Sequence, residues 1–219
     1  MKVVFENRTE AGRFLANKLM HYANRPDVIV FGLPRGGVPV AYQVAQALNA
    51  PLDVFIIRKL GVPGHEELAM GAIATGGVSF LNKELIESMN ISMPQIEAVV
   101  SREYEEMLRR EQLYRGNRLL PDVRGQTVIL VDDGLATGAS MWAAVTAIRK
   151  FNPNKIVVAV PVASAQTCEE FKHLLDEVVC GITPDPFIAV GIWYEDFSET
   201  SDDEVRALLE HAPQLDLVH

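Results

Sequence analysis

The chain has 219 residues, 48% of them apolar and 22% charged, with a formal net charge of −9. That length suits one sizeable core and is short for two, and the acidic excess without any basic run excludes a phosphate-tracking nucleic-acid surface. No apolar run approaches membrane-spanning length, and Met1-Lys2-Val3-Val4-Phe5-Glu6-Asn7-Arg8 lacks the apolar stretch of a signal peptide, so a cytoplasmic protein without membrane contact is expected.

From the N-terminus, residues 9–22 read as an amphipathic helix, with Ala11, Phe14, Leu15, Lys18 and Leu19 at helical spacing and Thr9 as N-cap. Val28-Ile29-Val30-Phe31-Gly32 is a buried-type strand, followed by Leu33-Pro34-Arg35-Gly36-Gly37 and a helical run over 39–48. Gly36 and Gly37 let backbone amides approach a ligand closely, and Arg35 can fork two phosphate oxygens. A plain glycine-rich turn is the competing reading. Leu52-Asp53-Val54-Phe55-Ile56-Ile57 is the next strand, ending on Arg58-Lys59. A loop rich in Gly, Pro and charge follows over 60–67, and then a returning strand over 69–74. From its residues that loop reads as a solvated hairpin, and His65 within it as an acid–base group or merely exposed.

Residues 79–124 hold a strand running into a short helix and then a long helix over 93–114, with Ile96, Val99, Val100, Glu103, Tyr104, Met107 and Leu108 at helical spacing. Its other face, with Arg102, Glu103, Glu105, Glu106, Arg109, Arg110 and Glu111, mixes signs and reads as solvated and salt-bridged. Packing of this helix against a second copy, giving a homo-oligomer, stays open.

The most informative stretch is 127–141. Val128-Ile129-Leu130-Val131 suits a central strand of a parallel sheet covered on both faces, and it stops at Asp132 and Asp133, on the edge where open α/β sheets bind ligands. Gly134-Leu135-Ala136-Thr137-Gly138-Ala139-Ser140 then leads into a helical pattern. Unpaired amides at a helix start form an anion site, Thr137 and Ser140 add hydroxyl donors, and the two carboxylates accept hydrogen bonds from vicinal sugar hydroxyls or attract a hard cation. A ribose 5-phosphate satisfies both halves. A helix-capping turn is the bland alternative.

This segment resembles the 5-phosphoribosyl-1-pyrophosphate (PRPP) signature of type I phosphoribosyltransferases: an apolar strand, two acids, and a loop ending Thr-Gly-x-Ser. The 33–37 loop is similar to the family's pyrophosphate loop. The likeness covers most of the chain outside 79–124 and extends to a stand-alone bacterial group with an Arg-Gly-Gly loop and a Trp-Tyr-Glu-Asp-Phe hood, here Trp193 to Phe197. It implies an α/β fold: a Rossmann-like open parallel sheet flanked by helices, in one domain spanning 1–219, with a helical insertion at 79–124 and a small hood and helix at 185–219. It implies that Asp132 and Asp133 hold the ribose hydroxyls while Gly134, Leu135, Ala136, Thr137, Gly138, Ala139 and Ser140 cradle the 5′-phosphate. Pro34, Arg35, Gly36 and Gly37 would bind pyrophosphate, with a cis bond between Pro34 and Arg35. The 60–67 loop resembles the family's flexible catalytic loop, and Arg58 and Lys59 before it, with Asp132 and Asp133, would be the catalytic residues.

Beyond the motif, strands are expected over 155–160 and 177–181, separated by a helix over 165–175 capped by Ser164, and a last helix over 201–211 turns Val205, Leu208 and Leu209 inward. By the resemblance Phe187 stacks on a base beside Ile188, though core packing accounts for these side chains nearly as well. Residues 161–164 carry no Lys where the 6-oxopurine enzymes have one, which leaves the acceptor open. Cys168 and Cys180, lacking ligand spacing, read as reduced packing residues. Substrate-bound Mg2+ is the implied cofactor, without a protein-only metal site, and PRPP and a nucleobase-like small molecule are the implied partners. A PRPP-responsive regulator and a sugar-phosphate hydrolase are the alternatives to a transferase.

Overall fold

Five short apolar strands build the main sheet of the protein, described here from a computed structural model: β1 (Val28–Gly32), β2 (Leu52–Val54), β6 (Thr127–Val131), β7 (Lys155–Val162) and β8 (Glu177–Ile182). All neighbours run parallel in the order β2-β1-β6-β7-β8. The structure describes residues 4–213; Met1, Lys2 and Val3 of the N-terminal segment and positions 214–219 of the C-terminal segment lie outside the described residues.

The central strands β1, β6 and β7 are apolar apart from their first residues Thr127 and Lys155 because both faces are covered, and their period-two alternation sorts residues between two cores. Val28, Val30, Ile129, Val131, Val157 and Ala159 lie on the side covered by α1 (Arg8–Lys18) and α2 (Gly37–Leu48), in one core that α4 (Met93–Arg115) and α7 (Asp202–His211) extend. Ile29, Phe31, Val128, Leu130, Ile156 and Val158 face α5 (Ala139–Ile148) and α6 (Ala165–Lys172). Each large aliphatic side chain fully buried there, such as Leu15, Leu48 or Ile129, stabilises the fold by about 1.5–3 kcal/mol relative to leaving it exposed.

A second sheet, antiparallel and ordered β3-β4-β5, comprises β3 (Ile57–Val62), β4 (His65–Ala74) and β5 (Val78–Leu81). Here the structure departs from the expected single strand over 52–57. The Phe55 amide still donates to the Gly32 carbonyl of β1 at 3.1 Å, and the chain then leaves the main sheet, the Ile56 amide donating to Thr75 Oγ1 at 3.0 Å. Leu60 and Val62 then alternate inward, 0% and 2% exposed, so the strand continues through Arg58 and Lys59 and the expected long loop shrinks to a tight hairpin tip. The small antiparallel sheet thus comes from 57–81. The described part of 185–219 supplies a short 3-10 turn at Val190–Trp193 and α7.

Other boundaries shift for local reasons. Helix α1 is capped by Asn7, whose side chain accepts from the Glu10 amide, rather than by Thr9. Ser164 caps α6, as its sequence position suggests, and Ser201 caps α7. The short helix of the insertion is α3 (Lys83–Ser88). In α4 the residues Ile96, Val99, Glu103 and Met107 are buried while Tyr104 and Leu108 are exposed, so the apolar stripe is narrower than the spacing suggests. Cys168 and Cys180 are not reduced: they form a disulfide that staples α6 to β8. Their twelve-residue separation gave no framework pattern, and only the strand–helix geometry brings the two sulfurs together. No described helix is long and apolar enough to cross a membrane.

Candidate functional site

The strand order reverses between β1 and β6: β1 connects outward to β2, and β6 outward to β7. At such a switch point the loops leaving the two carboxyl ends diverge and open a crevice. Gly32 pairs with Val131 at this edge, so the 33–37 and 132–138 loops leave adjacent strands side by side.

They touch closely. A Cβ on Gly36 would stand 2.1 Å from Asp133 Oδ2, and one on Gly37 would stand 2.7 Å from the Val131 carbonyl oxygen and 3.0 Å from Asp132 Oδ1. At Gly37 backbone leaves room for glycine alone, and at Gly36 a side chain would have to displace the Asp133 carboxylate. The Leu33 amide donates to the Val131 carbonyl at 2.9 Å, and the Gly37 amide closes the turn on the Leu33 carbonyl at 3.0 Å. The Pro34–Arg35 peptide is cis, as the resemblance implies.

On the β6 side, Asp132 Oδ1 accepts the Asp133 amide at 2.9 Å. Asp133 Oδ2 receives Arg8 Nε and Nη2, both at 2.9 Å, and the Tyr194 hydroxyl donates to the Asp133 carbonyl at 2.5 Å. Burial, and then the neighbouring Asp133 charge, push the Asp132 carboxyl well above the ordinary carboxylate range. Burial also raises Asp133, against the opposing pull of Arg8. Burial raises the Tyr194 phenol as well, so it stays a neutral donor.

The small-residue loop is held mainly through its carbonyls. Leu135 bridges to Ala163, its amide donating to the Val162 carbonyl at 2.9 Å and its carbonyl accepting from the Ser164 amide at 3.0 Å. Thr167 Oγ1 donates to the Ala136 carbonyl at 2.7 Å. Gly138, at φ +73° and with Phe171 2.7 Å from where its Cβ would lie, is the N-cap of α5. Thr137 and Ala139 are exposed or nearly so in sequence with the half-open Ser140 region, Thr137 being exposed, so the first-turn amides of α5, which have no intrahelical acceptor, stand beside hydroxyls at the surface.

Arg35, from the other loop, pairs with Glu199 and has Asp202 3.8 Å away. Arg58 pairs with the buried Glu103 of α4 at 2.6 Å, while Lys59 is exposed. Phe187 packs, half-buried, on the cluster of Phe5, Trp193 and Tyr194, and Ile188 is 75% exposed. Val190 lies against Gly134, where a Cβ would meet it at 2.4 Å. Sequence reasoning missed Arg8, Tyr194 and Glu199 as neighbours of the loops. The parallel bridge between Phe5 and Tyr194 that brings the two ends of the chain together has no local signal.

A model of the phosphoribosyl transferase domain matches residues 5–192. The chain belongs to the phosphoribosyl transferase family. A Mycobacterium tuberculosis protein provisionally named a phosphoribosyl transferase is 44% identical over 209 residues, which is 95% of this chain and 47% of that relative. The chain therefore spans about half the length of that curated relative. The crystal structure of TT1426 from Thermus thermophilus superposes with a TM-score of 0.81 at 40% identity, covering 94% of this chain and 97% of that one. A Brevibacillus brevis protein named bifunctional protein PyrR is 30% identical over 123 residues, covering 53% of this chain and 67% of that relative. Family and fold, an open five-stranded parallel sheet with a small antiparallel one, thus agree.

Proposed function

We propose that this phosphoribosyl transferase domain binds PRPP across the β1/β6 crevice and transfers its 5-phosphoribosyl group to a nitrogenous base, releasing pyrophosphate. The observation that carries this reading is the contact between the 33–37 and 132–138 loops. One offers a cation and close-packed glycine backbone, the other two carboxylates and a helix N-terminus, so a ligand charged at both ends and hydroxylated in the middle fits the pair.

In this reading Asp132 and Asp133 accept hydrogen bonds from the ribose hydroxyls, and their charge favours a ribose that turns cationic as the glycosidic bond loosens. The amides of 134–140, with Thr137 and Ser140, take the 5′-phosphate. Arg35 draws negative charge from the departing pyrophosphate, and the 34–37 backbone positions it. Ile188, exposed on the segment whose Val190 covers Gly134, offers an apolar surface for the acceptor, with Phe187 behind it. Arg58 reaches a leaving group only if it exchanges Glu103 for it, whereas Lys59, already exposed, needs no such exchange.

Among the described residues no group of three or more His, Cys, Asp or Glu side chains is placed to hold a metal ion. Two carboxylates at one strand end nevertheless suit a hard cation that takes its remaining oxygens from substrate and water. Mg2+ bound in that way, near Asp132 or Asp133, would supply charge neutralisation on the pyrophosphate.

The test is calorimetric titration with PRPP and Mg2+ on the wild type and on the double variant Asp132→Asn, Asp133→Asn. Saturable binding that the double variant loses supports the reading; no binding, or binding indifferent to the change, defeats it. A pyrophosphate-release screen over purines and pyrimidines then identifies the acceptor.

A further inference from the structure

The cation assigned to pyrophosphate already has an anion on it. Glu199 is 77% exposed along its side chain, yet its carboxylate contacts the Arg35 guanidinium, itself 31% exposed. An exposed carboxylate beside an arginine is ordinarily a weak, interchangeable contact. This one is placed by its neighbours on both sides.

On the N-terminal side, Phe197 lies 4.0 Å beneath the Arg8 guanidinium, and the Ser198 carbonyl accepts from Arg8 Nη1 at 2.7 Å. On the other side Thr200 is 4% exposed, Ser201 Oγ accepts the Glu204 amide at 3.1 Å to start α7, and Asp202 accepts the Tyr114 hydroxyl at 2.5 Å. Residues 197–202 therefore run as a strap tied to the ribose-side acid through Arg8 and to α4 through Tyr114. Glu199 sits between the ties, over Arg35.

We propose that Glu199 is a built-in competitor for the pyrophosphate position, a gate that only a polyanion displaces. The proposal rests on the PRPP reading above and adds a regulatory element to the same site. A single carboxylate already occupies the Arg35 fork, and orthophosphate, with less charge and fewer oxygens than a diphosphate, gains less by replacing it. A diphosphate brings more charge and more acceptor oxygens to the same fork and the amides beside it, and it wins. When the product diphosphate leaves, Glu199 returns and keeps Arg35 from capturing other small anions. Asp202, 3.8 Å from Arg35, adds to the repulsion an entering anion meets.

The experiment is titration of the full chain with inorganic pyrophosphate, with orthophosphate and with PRPP plus Mg2+, on the wild type and on Glu199→Gln. The substituted side chain is exposed, so the variant is expected to fold, and a thermal melt checks this. Glu199→Gln is expected to bind pyrophosphate about threefold more tightly, the size that release of one exposed ion pair gives, and to discriminate less against orthophosphate. If the wild type binds PRPP and Glu199→Gln shows unchanged or weaker pyrophosphate affinity, the gate is overturned and the PRPP reading stands. If pyrophosphate binds more tightly to the variant but PRPP binds to neither protein, the transferase reading fails and the gate stands. If neither ligand binds to either protein, both fail.

Discussion

Replacing Arg8 with Met tests the electrostatics of the crevice directly. Arg8 donates twice to Asp133 Oδ2 at 2.9 Å and once to the Ser198 carbonyl at 2.7 Å. The two side chains of the pair are only 12% and 16% exposed, so solvent screens it little. Breaking a fully buried pair costs about 3–5 kcal/mol and a single charged hydrogen bond about 1.5–3 kcal/mol; the partial exposure, and the Met side chain that still covers Phe197, place Arg8→Met at about 2–4 kcal/mol. For a domain of this length each kcal/mol lowers the midpoint by about 2–4 °C, so a fall of roughly 4–16 °C is expected in a circular-dichroism melt.

The pH dependence of that loss follows from Asp133. Burial raises its folded pKa above the unfolded value even with Arg8 opposing. Stability contributed by such a group is fully present below its unfolded pKa and is lost as pH rises through the folded pKa. Removing Arg8 raises the folded pKa further and enlarges the loss at pH values where Asp133 is ionised. The gap between wild type and Arg8→Met should therefore be widest above Asp133's raised pKa and close as the pH falls through it. Adding Asp133→Asn should recover much of the loss, because no unpaired carboxylate is left buried. An unchanged midpoint in Arg8→Met, or a gap that grows on acidification, would refute the reasoning.

Two further outcomes follow from packing and covalent structure. Gly36→Ala puts a methyl group 2.1 Å from Asp133 Oδ2; the overpacking should cost about 1–3 kcal/mol and, by displacing either the carboxylate or the 34–37 loop, weaken PRPP binding in calorimetry while the far-ultraviolet spectrum stays that of the wild type. Reduction of the Cys168–Cys180 bond, or Cys168→Ser, should lower stability by about 3 kcal/mol, the value for a loop of this order. Non-reducing peptide mapping checks that the bond is present, and a denaturation midpoint indifferent to reductant would show that it contributes nothing.

What could be read along the chain was whatever repeats locally. The runs Val28 to Phe31 and Val128 to Val131 are apolar at every position, and each is followed at once by small or charged residues, so strand, loop and helix start were visible together. The first three residues of the 52–57 run do form a strand of the main sheet. Its continuation into a separate sheet was hidden because Phe55, Ile56 and Ile57 are as apolar as the strand before them, and the hydrogen bonds between Ile56 and Thr75 that mark the departure join distant segments. Glu103 looked like one of many charges on a long helix; its burial against Arg58 depends on where β3 lies.

The sequence by itself determined the alternating strand–helix order, the two loops and the chemistry each can offer, because strand propensity, glycine freedom and helix starts are properties of neighbouring residues. Tertiary structure alone decided that those loops abut, that Arg8 and Tyr194 come from opposite ends of the chain to hold Asp133, that Glu199 rests on Arg35, and that two unpatterned cysteines are bonded. Each of these is a contact between distant segments, set by strand order and by how helices cover the sheet, and no periodicity along the chain records it.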